Sequence, residues 1–317
     1  MLNKSKYIIF LLMLLLVTSG CSKATVNLEQ QNYNNNFYTF TDSLGEKVIL
    51  EKKPERVVSL EGSYAEAWVL AGGELAGVTD DVETENRMKI TDDVKIVGTI
   101  KEPNIEEILS LNPDFVLLTS DIKSQLKLSE TLEKANIPHA YFKVDKFEDY
   151  LNMLDIYTDI IVRKDLYEKN GLIVQKEIED ILSKVDNETK PAVLFVRAFS
   201  SGAKAKKNDN MTGSMLEDLG TVNIASKHPS LLEELSIEEI IEEDPDFIFV
   251  TAMGDEQKAF DALKNGIEKN PAWNNLTAVK NGRYILLPKK LFHYKPNAKW
   301  GESYRYLAEI IYPEIFK

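Results

Sequence analysis

The chain has 317 residues, 44% hydrophobic and 28% charged, with 51 acidic against 38 basic side chains and a net charge of −13. That length and apolar content allow a sizeable core in one large domain or two ordinary ones, and ordinary Gly (15) and Pro (11) counts exclude collagen-like, coiled-coil and disordered chains. The acidic balance excludes a nucleic-acid partner, the single cysteine excludes an internal disulfide or thiolate zinc cluster, and three histidines, scattered at 139, 228 and 293, exclude a dedicated histidine metal site.

In chain order, residues 1–6 are short and basic through Lys4 and Lys6, and residues 7–17 (YIIFLLMLLLV) are unbroken apolar sequence. That run is too short to cross a bilayer, which takes about 20 residues, but has the length of a secretory signal's apolar region. Thr18-Ser19-Gly20 follow, then Cys21. The arrangement resembles a bacterial lipoprotein signal, with Thr18 where an aliphatic residue is usual. Residues 1–20 are then the signal peptide and Cys21 the lipidated new N-terminus, held at a membrane by acyl chains. The Asn- and Gln-rich residues 21–37 read as a flexible tether. The mature protein is expected outside the cytoplasm, lipid-anchored to the cell membrane.

From residue 38 short β-branched runs alternate with helical stretches. YTFTDSLGEKVIL reads as a hairpin turning at Ser43-Leu44-Gly45. Strands are expected at 56–60, 75–78, 95–97 and 115–118. Helices are expected at 63–71, ended by Gly72-Gly73, at 105–111, closed before Pro113, and at 124–135. This alternation predicts α/β lobes with mainly parallel sheets.

An internal repeat says there are two. NIEEILSLNPDFVLLTS (104–120) aligns without a gap on SIEEIIEEDPDFIFVTA (236–252). Identical pairs are Ile105/Ile237, Glu106/Glu238, Glu107/Glu239, Ile108/Ile240, Pro113/Pro245, Asp114/Asp246, Phe115/Phe247 and Thr119/Thr251. Each copy predicts a short helix, a Pro-Asp turn, a buried strand and a further helix, so two similar lobes are expected. Between them, residues 150–162 read as a helix of the first lobe, and Gly171 is a candidate interruption. Val174, Ile178, Ile181, Leu182 and Val185 form one stripe at helical spacing. The expected domains are an N-terminal lobe at 38–163, a connecting helix at 164–187 and a C-terminal lobe at 188–317. A single stiff connector permits small rocking motions rather than wide hinging.

The lipoprotein signal, the tether, TDSLGEKVIL followed by KKPERVVSL, the doubled IEEI…PDF module and the single connecting helix together resemble one family. It is that of the solute-binding lipoproteins of ABC importers for iron chelates, heme and cobalamin, with a helical backbone between the lobes. The resemblance spans residues 38–316. It implies a monomeric receptor that is not an enzyme and has no resident cofactor. The receptor would capture an iron chelate of siderophore type between the lobes and deliver it to a dimeric permease with its ATPase. Heme or a corrinoid is the alternative cargo. The family's permease-docking glutamates map onto Glu106 and Glu238, the first acids of each IEEI. The plainer reading is that these acids complement the positive ends of their helices.

Ligands of open α/β sheets gather beyond the carboxyl ends of strands. The side chains expected there are Tyr64 after the first strand, Arg87 beyond the second, Arg197 and Phe199 at the end of the first strand of lobe 2, and Lys204 and Lys206 in the basic loop that follows. His293, Tyr294, Lys295 and Trp300 join them from the aromatic, basic segment LFHYKPNAKW. Local positive charge in an acidic protein points to an anionic ligand, and Arg suits carboxylate oxygens. Direct iron ligation by Tyr64, Tyr294 or His293 would favour heme. Large corrinoids would use aromatic walls such as Trp300, Phe292 and Phe199. One rival from another class is a serine hydrolase, because Ser201-Gly202-Ala203-Lys204 matches S-x-x-K, although the K-T-G and S-D-N partners are absent. Another is a manganese or zinc receptor of similar plan, which would need converging histidines and carboxylates.

Overall fold

The computed structural model describes residues 36–186 and 188–316. The signal segment, Cys21 and the tether up to Asn35 lie outside the described residues. A hairpin, β1 (Tyr38–Thr41) with antiparallel β2 (Lys47–Leu50), leads into the first sheet. That sheet holds β3 (Val57–Ser59), β4 (Leu75–Val78), β5 (Lys95–Ile96), β6 (Phe115–Thr119) and β7 (His139–Phe142) in the order β5-β4-β3-β6-β7, all parallel. The second sheet holds β8 (Ala192–Phe199), β9 (Gly202–Ala205), β10 (Val222–Asn223), β11 (Phe247–Ala252) and β12 (Tyr284–Leu286). Its order is β10-β8-β11-β12, parallel, with β9 folded back antiparallel on β8. The two copies of the repeat thus supply the same part twice: β6 lies between β3 and β7, and β11 between β8 and β12.

The repeated residues explain themselves. Asn112 and Asp244 end their helices at φ 46° and 38°, the left-handed turn that Asn and Asp tolerate. The Pro that follows cannot continue a helix. Asp114 then accepts from the backbone N–H of Glu55 and of Arg56, the latter at 2.8 Å, and its own N–H donates to the Arg56 carbonyl. Asp246 does the same with Ala192, at 2.8 Å in both directions. In each lobe the Pro-Asp turn therefore sets where the module strand enters against the lobe's first strand. The helix starts are capped too: Asn104 accepts from the N–H of Glu106 and Glu107, and Ser236 from that of Glu239.

Period-two alternation gives each sheet two buried faces. Val57, Phe115, Leu117, Ala140 and Phe142 point into one cluster together with Val193, Phe195, Phe247 and Phe249 of the second sheet. The opposite faces, Val58, Val116 and Leu118 in one sheet and Leu194, Val196, Ile248 and Val250 in the other, pack under their own outer helices. The central core is thus continuous from one lobe to the other. Trp300 is fully buried in it, with its ring centroid 5.8 Å from that of Phe147.

The connector packs on the same core. Helix Phe147–Ile161 ends with Val162 at φ 61°. Helical structure runs on from Lys164–Tyr167 through a π turn at Glu168–Leu172 into Ile173–Val185. Gly171 sits in the π turn, where a Cβ would meet the Leu151 and Leu154 side chains at 3.1 and 3.2 Å. Val174, Ile178, Ile181 and Val185 are buried, and the final helix Trp300–Ile311 approaches so closely that a Cβ on Gly301 would lie 2.4 Å from a Glu177 oxygen.

One expected element differs. The helix expected at 124–135 is two short ones, Lys123–Leu126 and Ser129–Lys134. Gln125 turns inward, accepts from the Thr119 N–H and donates to the Leu60 and Ile100 carbonyls. Those three bonds hold the first turn against the strand ends and break the helix after it.

Trp300→Ala should destabilise the protein by about 3–5 kcal/mol, the range for a large aromatic removed from a core. Chemical denaturation checks this. A loss under 1 kcal/mol would show that the two lobes do not share a core at this point.

Candidate functional site

The loops after β6 and β7 of the first sheet face the segment between β12 and the final helix. From the N-terminal side come Asp121, Lys143 and Asp145, together with Glu66 on helix Gly62–Leu70 and Arg87 in a loop. From the other side come Arg197 on β8 and the segment His293–Asn297. Polar links cross the seam, Ser214 Oγ to the Asp145 carbonyl among them. Arg87 Nη1 donates to the Lys295 carbonyl at 2.7 Å. Asn297 Nδ2 lies 2.9 Å from both the Ser63 carbonyl and Glu66 Oε2. Lys295 Nζ stands 3.9 Å from Asp121 Oδ2. Asn297 holds φ 50° and is fully buried, so its amide is committed to this bridge.

The charges are unevenly satisfied. Arg87 pairs with Glu85 at 2.9 Å and Glu66 at 3.1 Å, and its guanidinium stacks 5.1 Å from the Tyr294 ring centroid. Lys289 also lies 5.1 Å from that centroid, and its ammonium donates to the Gly254 carbonyl. Arg197 is different. Its Nε is buried with no partner, and the side chain makes no hydrogen bond or ion pair with any described residue. Burial lowers its pKa, with the charges of Asp145 and Asp209 opposing that shift. Beside it His293 has a buried, unpartnered Nδ1, and burial, helped by the charges of Arg197, Lys289, Lys295 and Arg87, holds its pKa down to about 4. The site therefore offers an unpaired guanidinium and a neutral imidazole next to each other. A buried N–H without a partner, such as Arg197 Nε, is costly, and a carboxylate or other oxyanion is the group that relieves it.

Between Glu66, Glu85 and Arg87 on one side and Tyr294, Lys295 and Lys299 on the other is a cavity of only about 50 Å³. Larger hollows lie elsewhere: about 540 Å³ along Phe199, Lys204, Glu233 and Leu263, and about 580 Å³ between the β1–β2 hairpin and Ser129, Glu133 and His139. Volume and charge disagree, and charge is the better guide, because the hollows hold no unpaired buried cation. A chelate needs several hundred Å³, so the seam must part to admit one.

Of the expected site residues, Arg87, Arg197, His293, Tyr294 and Lys295 come together at the seam. Four others do not. Tyr64 is fully buried, packs edge-on against Phe142 and donates its hydroxyl to the Phe142 carbonyl, so neither ligand contact nor iron ligation is open to it. Trp300 is central core. Phe199 and Lys204 line the separate C-terminal hollow, where Lys204 pairs with Glu233 at 3.3 Å. Lys206 is half-buried just beyond β9, its N–H donating to the Phe195 carbonyl. Of the S-x-x-K match, Ser201 sits in the β8–β9 turn and Lys204 pairs with Glu233. Among the described residues no cluster of His, Cys, Asp and Glu is placed to hold a metal ion. Glu66, Asp121 and Asp145 were not foreseen, and Asn297 lay in the segment expected at the site without being singled out. Glu66 carried a signal, being the one charge in the apolar helix SYAEAWVLA.

The model of one family, described as periplasmic binding protein, matches residues 57–291. The chain belongs to the periplasmic binding protein family. A similar relative is the Fe(3+)-citrate-binding protein YfmC of Bacillus subtilis, 27% identical over 290 residues that span 86% of this chain and 85% of the relative. The ferric-anguibactin-binding protein FatB of Vibrio anguillarum is 26% identical over 77% of this chain and 78% of its own. Among solved structures, the periplasmic catecholate-siderophore binding protein VctP from Vibrio cholerae superimposes with a TM-score of 0.69 at 20% identity, covering 86% of this chain and 99% of that one. S. aureus IsdE complexed with heme does so with a TM-score of 0.67 at 17% identity, covering 81% and 98%. The fold of this family is the expected one: two α/β lobes with mainly parallel sheets and a helical connector.

Two titrating groups at the seam act oppositely on stability. Glu85 is pushed up to about 7 by burial, with Arg87 opposing and Asp81 and Glu61 assisting. The folded chain therefore keeps a proton there that the unfolded chain has released, and stability falls as pH rises from 4.5 to about 7. For His293 the unfolded chain gains a proton that the folded chain refuses, so stability falls as pH drops from 6.5 to about 4. His293→Gln should lose less melting temperature than the wild type over that acid window, as thermal unfolding followed by circular dichroism will read. Parallel curves would contradict a buried neutral imidazole.

Proposed function

We propose that this chain is the extracytoplasmic capture component of an ABC importer for an anionic iron chelate, held at the seam with the ligand's oxyanion on Arg197. The observation that carries the reading is the half-buried Arg197, whose buried Nε has no partner, beside a neutral His293. What the relatives are named for binding supports iron chelates as the class. Capture is reversible and involves no bond chemistry. The lobes part, the ligand meets Arg197, and the shared core draws them back together.

Delivery uses Glu106 and Glu238. Both are exposed, each in the first turn of its helix at equivalent places in the two lobes. Two carboxylates so placed suit a permease dimer, and such charges set orientation and association rate more than affinity. Cys21, outside the described residues, would carry the lipid that keeps the receptor at the membrane face.

Heme is the second reading. It is favoured by the unpartnered Nδ1 of His293, a neutral imidazole nitrogen available to iron. The two readings separate in one panel. Mature protein is titrated calorimetrically with ferric citrate, ferric siderophores, heme and cobalamin, and a heme complex is also read by its absorption spectrum. Arg197→Gln should weaken chelate binding about 30-fold or more, the cost of removing one partner of a buried charge pair. Unchanged affinity would remove Arg197 from the site, and tight binding of cobalamin alone would overturn the ligand class.

Charge reversal at both Glu106 and Glu238 should abolish uptake by cells while leaving chelate affinity within about twofold, since rim charges act on docking. Uptake that survives the double reversal refutes the docking assignment.

A further inference from the structure

Five charges run across the seam in alternation. Lys295 of the C-terminal side stands 3.9 Å from Asp121; Lys143 reaches Asp121 at 3.9 Å and Asp145 at 2.7 Å; and Asp145 acts through its charge on Arg197, to which it makes no hydrogen bond. The two aspartates belong to the loops after β6 and β7, at the carboxyl ends of their strands. Their backbones are held: the Asp121 N–H donates to Thr119 Oγ1, and the Asp145 N–H to Asp149 Oδ2. Both share Lys143 of their own lobe, and across the seam Asp121 also reaches Lys295. The first lobe thus brings one of its own carboxylates to a cation of the second.

We propose that Asp121 and Asp145 compete with the ligand's oxyanions, so that an anionic chelate binds by displacing Asp121 from Lys295 and by outweighing the like charge of Asp145, held by Lys143, near Arg197. The proposal rests on the reading that the seam takes an anionic ligand. Its physics is competition for the same cations. With Asp145 in place, an oxyanion arriving at Arg197 meets a like charge nearby, and the repulsion subtracts from the gain of pairing. The side chains of Asp121 and Asp145 are 41% and 33% exposed, so each contact is weak and readily exchanged. Strong enough to bias the empty protein and weak enough to yield, the aspartates set a threshold of ligand charge. A ligand with one or two well-placed oxyanions displaces Asp121 and overcomes the repulsion of Asp145, whereas a neutral chelate leaves Asp121 in place. They are specificity-determining residues that act by exclusion.

The test uses ferric citrate as the probe, titrated calorimetrically into wild type, D121N, D145N and the double variant, at low and at high ionic strength. Each single variant should bind about three- to fivefold more tightly and the pair roughly tenfold more tightly, the scale of partly exposed ion pairs. The gain should shrink at high salt. Unchanged or weaker binding in the double variant overturns the proposal, and a clear loss would make the aspartates direct ligand contacts. Hydrogen exchange of the ligand-free proteins gives a second readout. Residues 289–297 should exchange faster in the double variant than in wild type, because the seam has lost its carboxylates, and equal exchange overturns the proposal even if ferric citrate is not the cargo. Should the wild type bind no anionic chelate, the proposed function fails on its own, and the exchange measurement still decides the role of the aspartates. Unaltered thermal unfolding of the double variant establishes that it is folded.

Discussion

One apolar core serves both lobes, and the rest of the molecule depends on it. Two separate cores joined by a hinge would let the lobes choose their relative orientation, and the seam would have no fixed chemistry. Here the inward faces of both sheets, the connector stripe Val174, Ile178, Ile181 and Val185, and the final helix with Trp300 close around one cluster. Burial at roughly 25 cal/mol per Å² makes any large separation of the lobes expensive. Movement is confined to what the core allows at its margin, and the charged groups of the seam lie at that margin. A small motion therefore suffices to exchange one set of charge contacts for another.

That confinement gives meaning to an otherwise odd electrostatic arrangement. The protein is strongly acidic overall, yet cations gather on the C-terminal side of the seam. Arg87 does not contribute to the ligand's share, because Glu66, Glu85 and the Lys295 carbonyl already occupy it. It acts as a bracket, holding the segment that carries His293 and Lys295 against the first lobe. Arg197 is left over. The difference between these two arginines is one of satisfaction, not of charge, and only coordinates reveal it.

The sequence was a good guide to whatever repeats and a poor one to whatever is solitary. The Pro-Asp turn could be read from its duplication, and its cause, a carboxylate receiving the first strand of each lobe, is local enough to recur. The connector stripe was legible because helical spacing records which face is covered. Tyr64 and Trp300 misled for one reason. An aromatic residue beside a strand end has the same local sequence whether it turns into the cleft or into the core, and here both turn inward. Gln125 shows the converse: its three bonds to distant backbone break a helix that local propensity alone would continue. Asp121 and Asn297 carry no local mark, since Lys295 reaches the one and Ser63 and Glu66 receive the other from the opposite lobe.

The position of the carboxylates also bears on how a receptor of this stiffness releases its cargo. Rigid closure around a ligand makes for slow dissociation, yet a transporter must empty the site. If the first lobe supplies its own anion, any displacement that loosens the ligand's hold on Lys295 brings Asp121 back toward the same cation. Departure of the ligand is then coupled to re-pairing of Lys295 within the protein, and its ammonium is not left bare, which is the costly alternative. The same competition that raises the charge required for entry lowers the cost of exit, and both follow from carboxylates placed on loops whose backbones are fixed by Thr119 and Asp149.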